Sequence, residues 1–259
     1  MLSSQWKVAG ASVTGFAHEA DGTVCQDAHA IATTRNGWFV AVLSDGAGSA
    51  RYSDASARLI SHALVAQLAN RLDQDNGNGL DETLLRDWIG RGVEEVRHQL
   101  RTSTLGTEHD LHDLHATLLG VAAGPNWGLF FHIGDGVGCA TTMNDLATSI
   151  ISSPENGEYA NETYFVTQDD WREHLRLTFF DSKYDLIALM SDGAMPFAMA
   201  TGQLMVFQPF FEPLSRYLAE HTREDGERAI AAILAKDEVR RITGDDKTLV
   251  WALRDCAEA

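Results

Sequence analysis

The first half of the chain contains two segments in which apolar residues recur every three or four positions. In residues 53–72 these positions would form one face of a helix: Ala57, Ile60, Ala63, Leu64, Leu68 and Leu72. A second helical pattern covers residues 81–101, and Asp81 is suited to cap its amino-terminal end. The polar stretch DQDNGNG at residues 73–79 is typical of a loop. The pattern therefore predicts two helices joined by that loop.

Short apolar runs bounded by Gly, Asp or Ser are typical of buried strands, and they occur on both sides of the helical pair. The runs are 38–43 (WFVAVL), 116–122 (ATLLGVA), 127–133 (WGLFFHI), 185–190 (DLIALM) and 248–253 (TLVWAL). Residues 203–218 and 225–239 again have helical spacing. The predicted strands and helices do not alternate regularly along the chain, as they would around a parallel sheet. This order favours an α+β fold of antiparallel sheets packed together with helices outside, in one domain over residues 1–259.

The composition limits the class of protein and of partner. Apolar residues make up 44% of the chain, which supports a folded core, and the formal net charge is −17. That charge argues against nucleic acid or an anionic membrane as a partner. No apolar run reaches the roughly 18–20 residues of a membrane-spanning helix, and the first residues do not have the pattern of a secretion signal. The three cysteines, Cys25, Cys139 and Cys256, form no CxxC pair. We therefore expect a reduced, cytoplasmic protein without a disulfide framework.

Carboxylates stand at the ends of several predicted strands. Asp45-Gly46, Asp135-Gly136 and Asp192-Gly193 follow apolar runs, and Asp245-Asp246 precedes the last one. A strand end holds the backbone rigidly, and glycine allows close approach of another group. Hard cations such as Mg²⁺ and Mn²⁺ prefer oxygen ligands of this kind. Any single Asp-Gly pair is more often a turn, so a metal site depends on the pairs converging in space.

Six short motifs occur in order along the chain: CQDAH (25–29), SDGAGS (44–49), ATLLG (116–120), HIGDG (132–136), SDGAM (191–195) and GDDKTLV (244–250). This series of motifs resembles that of the type 2C metal-dependent protein phosphatases, particularly their compact bacterial branch. Each motif is weak evidence alone, but together they span residues 26–250. The resemblance implies a four-layer α/β/β/α sandwich of two antiparallel sheets flanked by helices. It also implies a binuclear metal centre at one edge of the sheets.

The resemblance assigns the principal ligands of that centre. Asp45 would bridge the two metals, and the Gly46 carbonyl would bind the first of them. Asp192 and Asp245 would hold the second metal. Asp246 is a further candidate, but the motif register favours Asp245.

Two more aspartates have counterparts in the family. Asp27 matches an acidic residue near the first metal that acts through water. Asp135 matches a residue that helps to bind a third, weaker ion in bacterial members.

The activity implied by the resemblance is hydrolysis of phosphoserine and phosphothreonine in proteins, which suggests a role in signalling. Two Mn²⁺ or Mg²⁺ ions, with a third in some members, would activate a water molecule to attack phosphorus without a phosphoenzyme. The sequence contains neither a GxSxG elbow nor a Cys-x5-Arg phosphate loop. The expected partner is a phosphorylated protein, the expected state is a monomer, and residues 141–180 are expected to hold a flap over the site.

The chain departs from the family pattern at two positions. Many members carry a phosphate-binding arginine shortly before the first acidic motif, whereas GFAHEADGTVCQDAH has none. His18 and Arg51 are the candidates for substrate binding in its place, although His18 is equally consistent with a surface loop. Some members carry a histidine, proposed as general acid, where this chain has Ala47. A metal-bound water or another histidine would then protonate the leaving group.

Three other interpretations follow from the sequence. The motif HDLHDLH could place His109, His112 and His115 along one side of a helix as zinc ligands, or it could be a solvated helix end with His115 near the metal centre. The domain could be a regulatory module that binds a phosphorylated protein with weak or no activity. It could also hydrolyse a small phosphorylated metabolite.

Overall fold

The structure, a computed structural model, describes residues 5–75, 80–102, 111–155, 163–200 and 205–255. Its strands form two five-stranded antiparallel sheets. The first sheet has the order β1-β10-β9-β6-β7, with β1 (Gln5–Val13), β6 (Val137–Thr142), β7 (Asp145–Ser152), β9 (Leu186–Met190) and β10 (Lys247–Asp255). The second has the order β2-β3-β4-β5-β8, with β2 (Ala28–Thr33), β3 (Phe39–Ser44), β4 (Leu118–Ala123), β5 (Trp127–Ile133) and β8 (Arg176–Asp181).

Helices lie on the outer face of each sheet. Helices α2 (Ser53–Gln74) and α3 (Glu82–Thr102) pack on the second sheet, and α6 (Gln208–Glu220) and α7 (Arg223–Leu234) pack on the first. The short helices are α1 (Phe16–Asp21), α4 (Trp171–His174), α5 (Met195–Ala198) and α8 (Asp237–Arg240), with 3₁₀ turns at Leu111–Leu114 and Asp192–Ala194. The predicted α/β/β/α sandwich is confirmed.

The central strands are apolar on both faces because each face packs on a different layer. In β3, Phe39 and Leu43 lie between the two sheets, whereas Val40 and Val42 point to α2 and α3. All four side chains are fully buried. Burying a side chain of this size contributes about 1.5–3 kcal/mol. This two-sided burial explains the continuous apolar runs in the sequence.

The predicted elements are largely present, with some differences at their ends. The Leu84 backbone N–H donates to Asp81 Oδ1 at 2.8 Å, which confirms Asp81 as the cap of α3. The pattern at 225–239 is two helices, because Lys236 has an extended backbone between α7 and α8. Residues 76–79 of the predicted loop and 203–204 of a predicted helix lie outside the described residues. Strands β1, β2, β6, β7 and β8 were not predicted.

Candidate metal centre

Strand register brings the predicted carboxylates to one edge of the sandwich. Ala28 of β2 pairs with Ser44 of β3, so the preceding Asp27 and the following Asp45 lie side by side. Val137 of β6 pairs with Met190 of β9 in the other sheet, which brings Asp135 and Asp192 to the same edge. A cavity of about 740 Å³ opens there. Its lining includes Asp45, Gly46, Asp135, Asp192, Asp245 and Asp246.

Three aspartates converge closely enough to share a cation. Asp45, Asp135 and Asp192 each offer a carboxylate oxygen, and these oxygens lie within 4.8 Å of one another. Burial, and then the charges of Asp27, Asp192 and Asp135, raise the pKa of Asp45 well above its usual value. Burial, and then the charges of Asp135 and Asp245, raise the pKa of Asp192 to about 6. Like charges held this close destabilise the fold unless protons or cations neutralise them.

Asp27 lies deeper, at 5% exposure. Its Oδ2 accepts hydrogen bonds from the Ser191 and Thr248 hydroxyls, each at 2.8 Å. Its Oδ1 is buried without a hydrogen-bond partner, as is Oδ1 of Asp192. Burial is the main cause that raises the pKa of Asp27 to about 7. Buried carboxylate oxygens without donors are costly, and a bound cation or its water would satisfy them. The residues therefore fit a hard divalent cation.

The two carboxylates of the final motif have different environments. Asp246 is 2% exposed; its Oδ1 accepts from Gly15 N–H and its Oδ2 from Gln26 N–H, both at 2.6 Å. Asp245 is exposed and lines the cavity, and its Oδ1 accepts the Asp246 N–H at 2.8 Å. A Cβ at Gly193 would lie 1.9 Å from the Asp246 carbonyl oxygen, so only glycine fits there. The geometry makes Asp246 an anchor for the amino-terminal segment and leaves Asp245 facing the cavity.

Gly46 is the other glycine whose size matters. Its N–H donates to the Gln26 carbonyl at 3.2 Å, and it forms an isolated antiparallel bridge with Ala116. A Cβ at this position would lie 2.7 Å from Cβ of Ser53 and 2.9 Å from the Gln26 carbonyl oxygen. A larger residue would therefore push the loop that carries Asp45 out of place.

The two predicted substrate-binding residues lie in different places. His18, in α1, lines the cavity, and its Nδ1 lies 3.0 Å from Oδ2 of Asp246. Arg51 is exposed with its guanidinium over the Tyr52 ring, 5.2 Å from the centroid, and it is not among the lining residues. No arginine or lysine among the described residues lines the cavity. The geometry favours His18 over Arg51 as a substrate contact.

The cavity has a second wall that the sequence did not predict as a unit. It comprises His112, His115, Phe165 and Gln168. In the sequence, the HDLHDLH motif had indicated His112 and His115 as candidate site residues. Their segment is a 3₁₀ turn that ends at Leu114, so it does not provide the helical face that the zinc interpretation requires. His109 lies outside the described residues. The aspartate triad is the three-ligand group found in the described part of the chain.

A buried arginine fixes this wall. Arg97 of α3, at 4% exposure, donates to the Val166 carbonyl and, at 2.6 Å, to the Gln168 carbonyl. Val166 N–H donates to the Ala116 carbonyl at 3.0 Å, which ties the segment to the strand region behind the metal site. On the opposite side, the Thr163 hydroxyl donates to Asp135 Oδ2 at 2.6 Å. Of residues 141–180, predicted to hold a flap, 141–142, 145–152 and 176–180 belong to strands, and 156–162 lie outside the described residues.

The raised pKa values predict how pH affects the stability of the metal-free protein. A carboxyl group whose folded pKa is raised contributes stability that is fully present below its unfolded pKa and is lost as pH rises through its folded pKa. We therefore expect the melting temperature in EDTA to fall between about pH 4, near the ordinary pKa of an aspartate, and about pH 8. This interval contains the pKa values of about 6 for Asp192 and about 7 for Asp27. Differential scanning calorimetry would measure the fall.

The Asp45→Asn variant provides the control for that measurement. It replaces one titrating carboxyl group of the cluster with a neutral amide while the rest of the surface is unchanged. Its melting temperature should fall less over the same interval, by a margin of about 3–8 °C. Equal falls in the variant and the wild type would show that the carboxylate cluster does not cause the pH dependence.

Comparison with known proteins gives a consistent result. Residues 14–235 match the family model described as protein phosphatase 2C, so Asp245 and Asp246 lie beyond the matched region. Serine/threonine-protein phosphatase 3 of Escherichia coli (strain K12) is 28% identical over 255 residues, which cover 96% of this chain and 98% of that protein.

Two solved structures resemble the fold. The crystal structure of a bacterial serine phosphatase aligns with 98% of this chain and 100% of its own, at a TM-score of 0.67 and 14% identity. The catalytic domain of the serine/threonine phosphatase PstP, in complex with two manganese ions, aligns with 96% of this chain and 98% of its own, at a TM-score of 0.63 and 16% identity. At 14% and 16% sequence identity, these structures show that the chain shares their fold.

Proposed function

The chain belongs to the protein phosphatase 2C family, and we propose that it hydrolyses phosphoserine and phosphothreonine in proteins with bound divalent cations. One observation carries the proposal: Asp45, Asp135 and Asp192 bring carboxylate oxygens within 4.8 Å of one another in an open cavity. A phosphorylated substrate is an anion, and the chain has a net charge of −17. Cations bound at this cluster would reverse the local charge that the substrate meets.

We assign Mn²⁺ or Mg²⁺ to the cluster, with two ions in the main centre and a third, weaker one. Asp45, the Gly46 carbonyl, Asp192 and Asp245 would hold the two principal ions, and Asp135 with Asp192 would hold the third. Asp27 would act through water. The all-oxygen donor set supports these ions over zinc. When bound, such ions lower the pKa of a coordinated water to near neutrality.

The protein's own residues orient the cluster. Ser191 and Thr248 hold one oxygen of Asp27, so its partnerless oxygen has a fixed direction. The Thr163 hydroxyl holds Oδ2 of Asp135 through a 2.6 Å hydrogen bond. Asp246 is committed to the backbone N–H groups of the amino-terminal segment. This supports Asp245 as the ligand from the final motif.

Hydrolysis assays test the function. The purified protein should release phosphate from phosphoserine and phosphothreonine peptides with Mn²⁺, lose that activity in EDTA and regain it when Mn²⁺ is restored. A wild-type protein without any Mn²⁺-dependent rate would refute the enzyme assignment. Tight phosphopeptide binding without turnover would instead identify a regulatory module. Faster turnover of phosphorylated metabolites than of peptides would identify a small-molecule phosphatase. The family match favours the peptide result.

The wider cellular role is also a proposal. We propose a single phosphatase domain over residues 1–259, with a flap within residues 141–180, that acts as a monomer in cytoplasmic signalling. Cys25 and Cys139 are free thiols, which suits a reducing compartment. Among the described residues, every helix is too short or too polar to cross a membrane.

A further inference from the structure

The proposed reaction needs a group in the cavity that protonates the leaving oxygen, and the carboxylates are poorly suited to this role. On the proposed function, a serine or threonine oxygen must leave phosphorus, and an alkoxide is a poor leaving group unless it gains a proton. The aspartates in the lining bind cations best when they are ionised, so they are poor proton donors. Position 47, next to Gly46, is alanine and supplies no proton. The proton donors in the described lining are therefore best sought among the histidines.

His115 is held in place by three separate contacts. Its backbone carbonyl accepts the Ala47 N–H at 2.9 Å, which fixes it beside the loop that carries Asp45. Its Nδ1 lies 2.6 Å from the Thr167 hydroxyl, and its ring stacks on Phe165 with centroids 4.8 Å apart and planes at 16°. With Nδ1 directed to Thr167, Nε2 is at the opposite edge of the ring.

The other two lining histidines are placed differently. His18 Nδ1 lies 3.0 Å from Oδ2 of Asp246, on the carboxylate side of the cavity. His112 is exposed on the 3₁₀ turn, and its ring centroid lies 4.7 Å from that of His115. Of the three, His115 combines a hydroxyl contact at Nδ1 with a backbone hydrogen bond to the loop that carries Asp45.

We propose that His115 is the catalytic proton donor to the departing serine or threonine oxygen, with Thr167 as its positioning residue. A water oxygen bonds to phosphorus while the phosphorus–ester oxygen bond breaks. The electron pair of that bond goes to the seryl or threonyl oxygen, which takes the proton from Nε2 of the His115 imidazolium. The proton released by the attacking water passes to solvent, and solvent reprotonates the imidazole.

The choice of leaving group tests this role. The His115→Gln variant should lower kcat for a phosphoserine peptide by about 100-fold, because glutamine cannot donate a proton. Its kcat for para-nitrophenyl phosphate should fall less than about 3-fold, since nitrophenolate leaves without protonation. Thr167→Val, which keeps the side-chain shape, should show the same selectivity with a smaller loss on the peptide.

Controls separate this inference from the proposed function. His62→Gln, on the exposed side of α2, should match the wild type on both substrates. The Mn²⁺-induced rise in melting temperature should persist in His115→Gln, which shows an intact metal site. Equal losses on both substrates, or an unchanged rate on the peptide, would overturn the role of His115 while leaving the phosphatase assignment intact. A wild type inactive on both substrates would overturn both proposals.

Discussion

Replacing Asp45 with asparagine should lower Mn²⁺-dependent turnover of a phosphoserine peptide by about 10³-fold or more. Asp45 lies within 4.8 Å of two other carboxylates and is the proposed bridge between cations. Even residues that only orient metal ligands typically cost about 10–100-fold when lost, so a shared ligand should cost more. Steady-state kinetics over a range of Mn²⁺ concentrations would measure the loss. Isothermal titration calorimetry would show the weaker binding of Mn²⁺ directly.

The same substitution at an exposed aspartate provides the matched control. Asp181 lies at the end of β8 and pairs with Lys183 on the surface. Asp181→Asn should keep wild-type kinetics and Mn²⁺ affinity, because surface ion pairs of this kind contribute about 0–1 kcal/mol. Asp45→Asn with full activity at low Mn²⁺ would exclude Asp45 as a ligand.

The adjacent carboxylates Asp245 and Asp246 should respond in opposite ways to the same change. Asp246→Asn should lower the melting temperature by about 5–15 °C, because both of its oxygens accept backbone N–H groups. The amide nitrogen introduced by Asp246→Asn would replace one of these oxygens and would then face a backbone N–H donor of Gly15 or Gln26 without accepting a hydrogen bond from it. Asp245→Asn should leave the melting temperature within about 2 °C in EDTA and should weaken Mn²⁺ binding, because its side chain is exposed toward the cavity.

Thermal denaturation and Mn²⁺ titration of both variants would decide the assignment. If Asp246→Asn melts with the wild type, its hydrogen bonds do not anchor the amino-terminal segment. If Asp245→Asn binds Mn²⁺ normally, the ligand from the final motif has been assigned to the wrong residue. In each measurement the other variant serves as the control: Asp245→Asn for the melting temperature and Asp246→Asn for the affinity for Mn²⁺.

The sequence predicted the centre of each sheet far better than its edges. Strands β3, β4, β5, β9 and β10 are internal, buried on both faces and therefore continuously apolar. Strands β1, β2, β7 and β8 are the four sheet edges, and β7 mixes buried, half-buried and exposed residues, so their patterns are irregular. Internal β6 (VGCATT) was missed because its residues are small or polar. Edge strands are specified by pairing with a neighbour, which a local window of sequence does not contain.

The candidate site also has a part that the sequence predicted and a part that it did not. The motif order identified the carboxylates, and strand register explains why they meet. The environment of Asp246 was beyond sequence reasoning, because its donors, Gly15 and Gln26, are 231 and 220 residues away. The histidine wall depends on Arg97, which reaches Val166 across 69 residues. Sequence motifs identify residues that are close together in the chain, whereas these contacts join residues that only tertiary packing brings together.

The pairing of β1 with β10 has a consequence for how the protein is made. The first strand hydrogen-bonds to the last along its whole length, from Gln5↔Asp255 to Val13↔Lys247. During synthesis β1 therefore leaves the ribosome long before its partner exists. The same final segment carries Asp245 and Asp246. A chain synthesised only as far as β9 therefore lacks both the partner of β1 and part of the proposed metal site, so the first sheet and this site are complete only once residues 245–255 have been made.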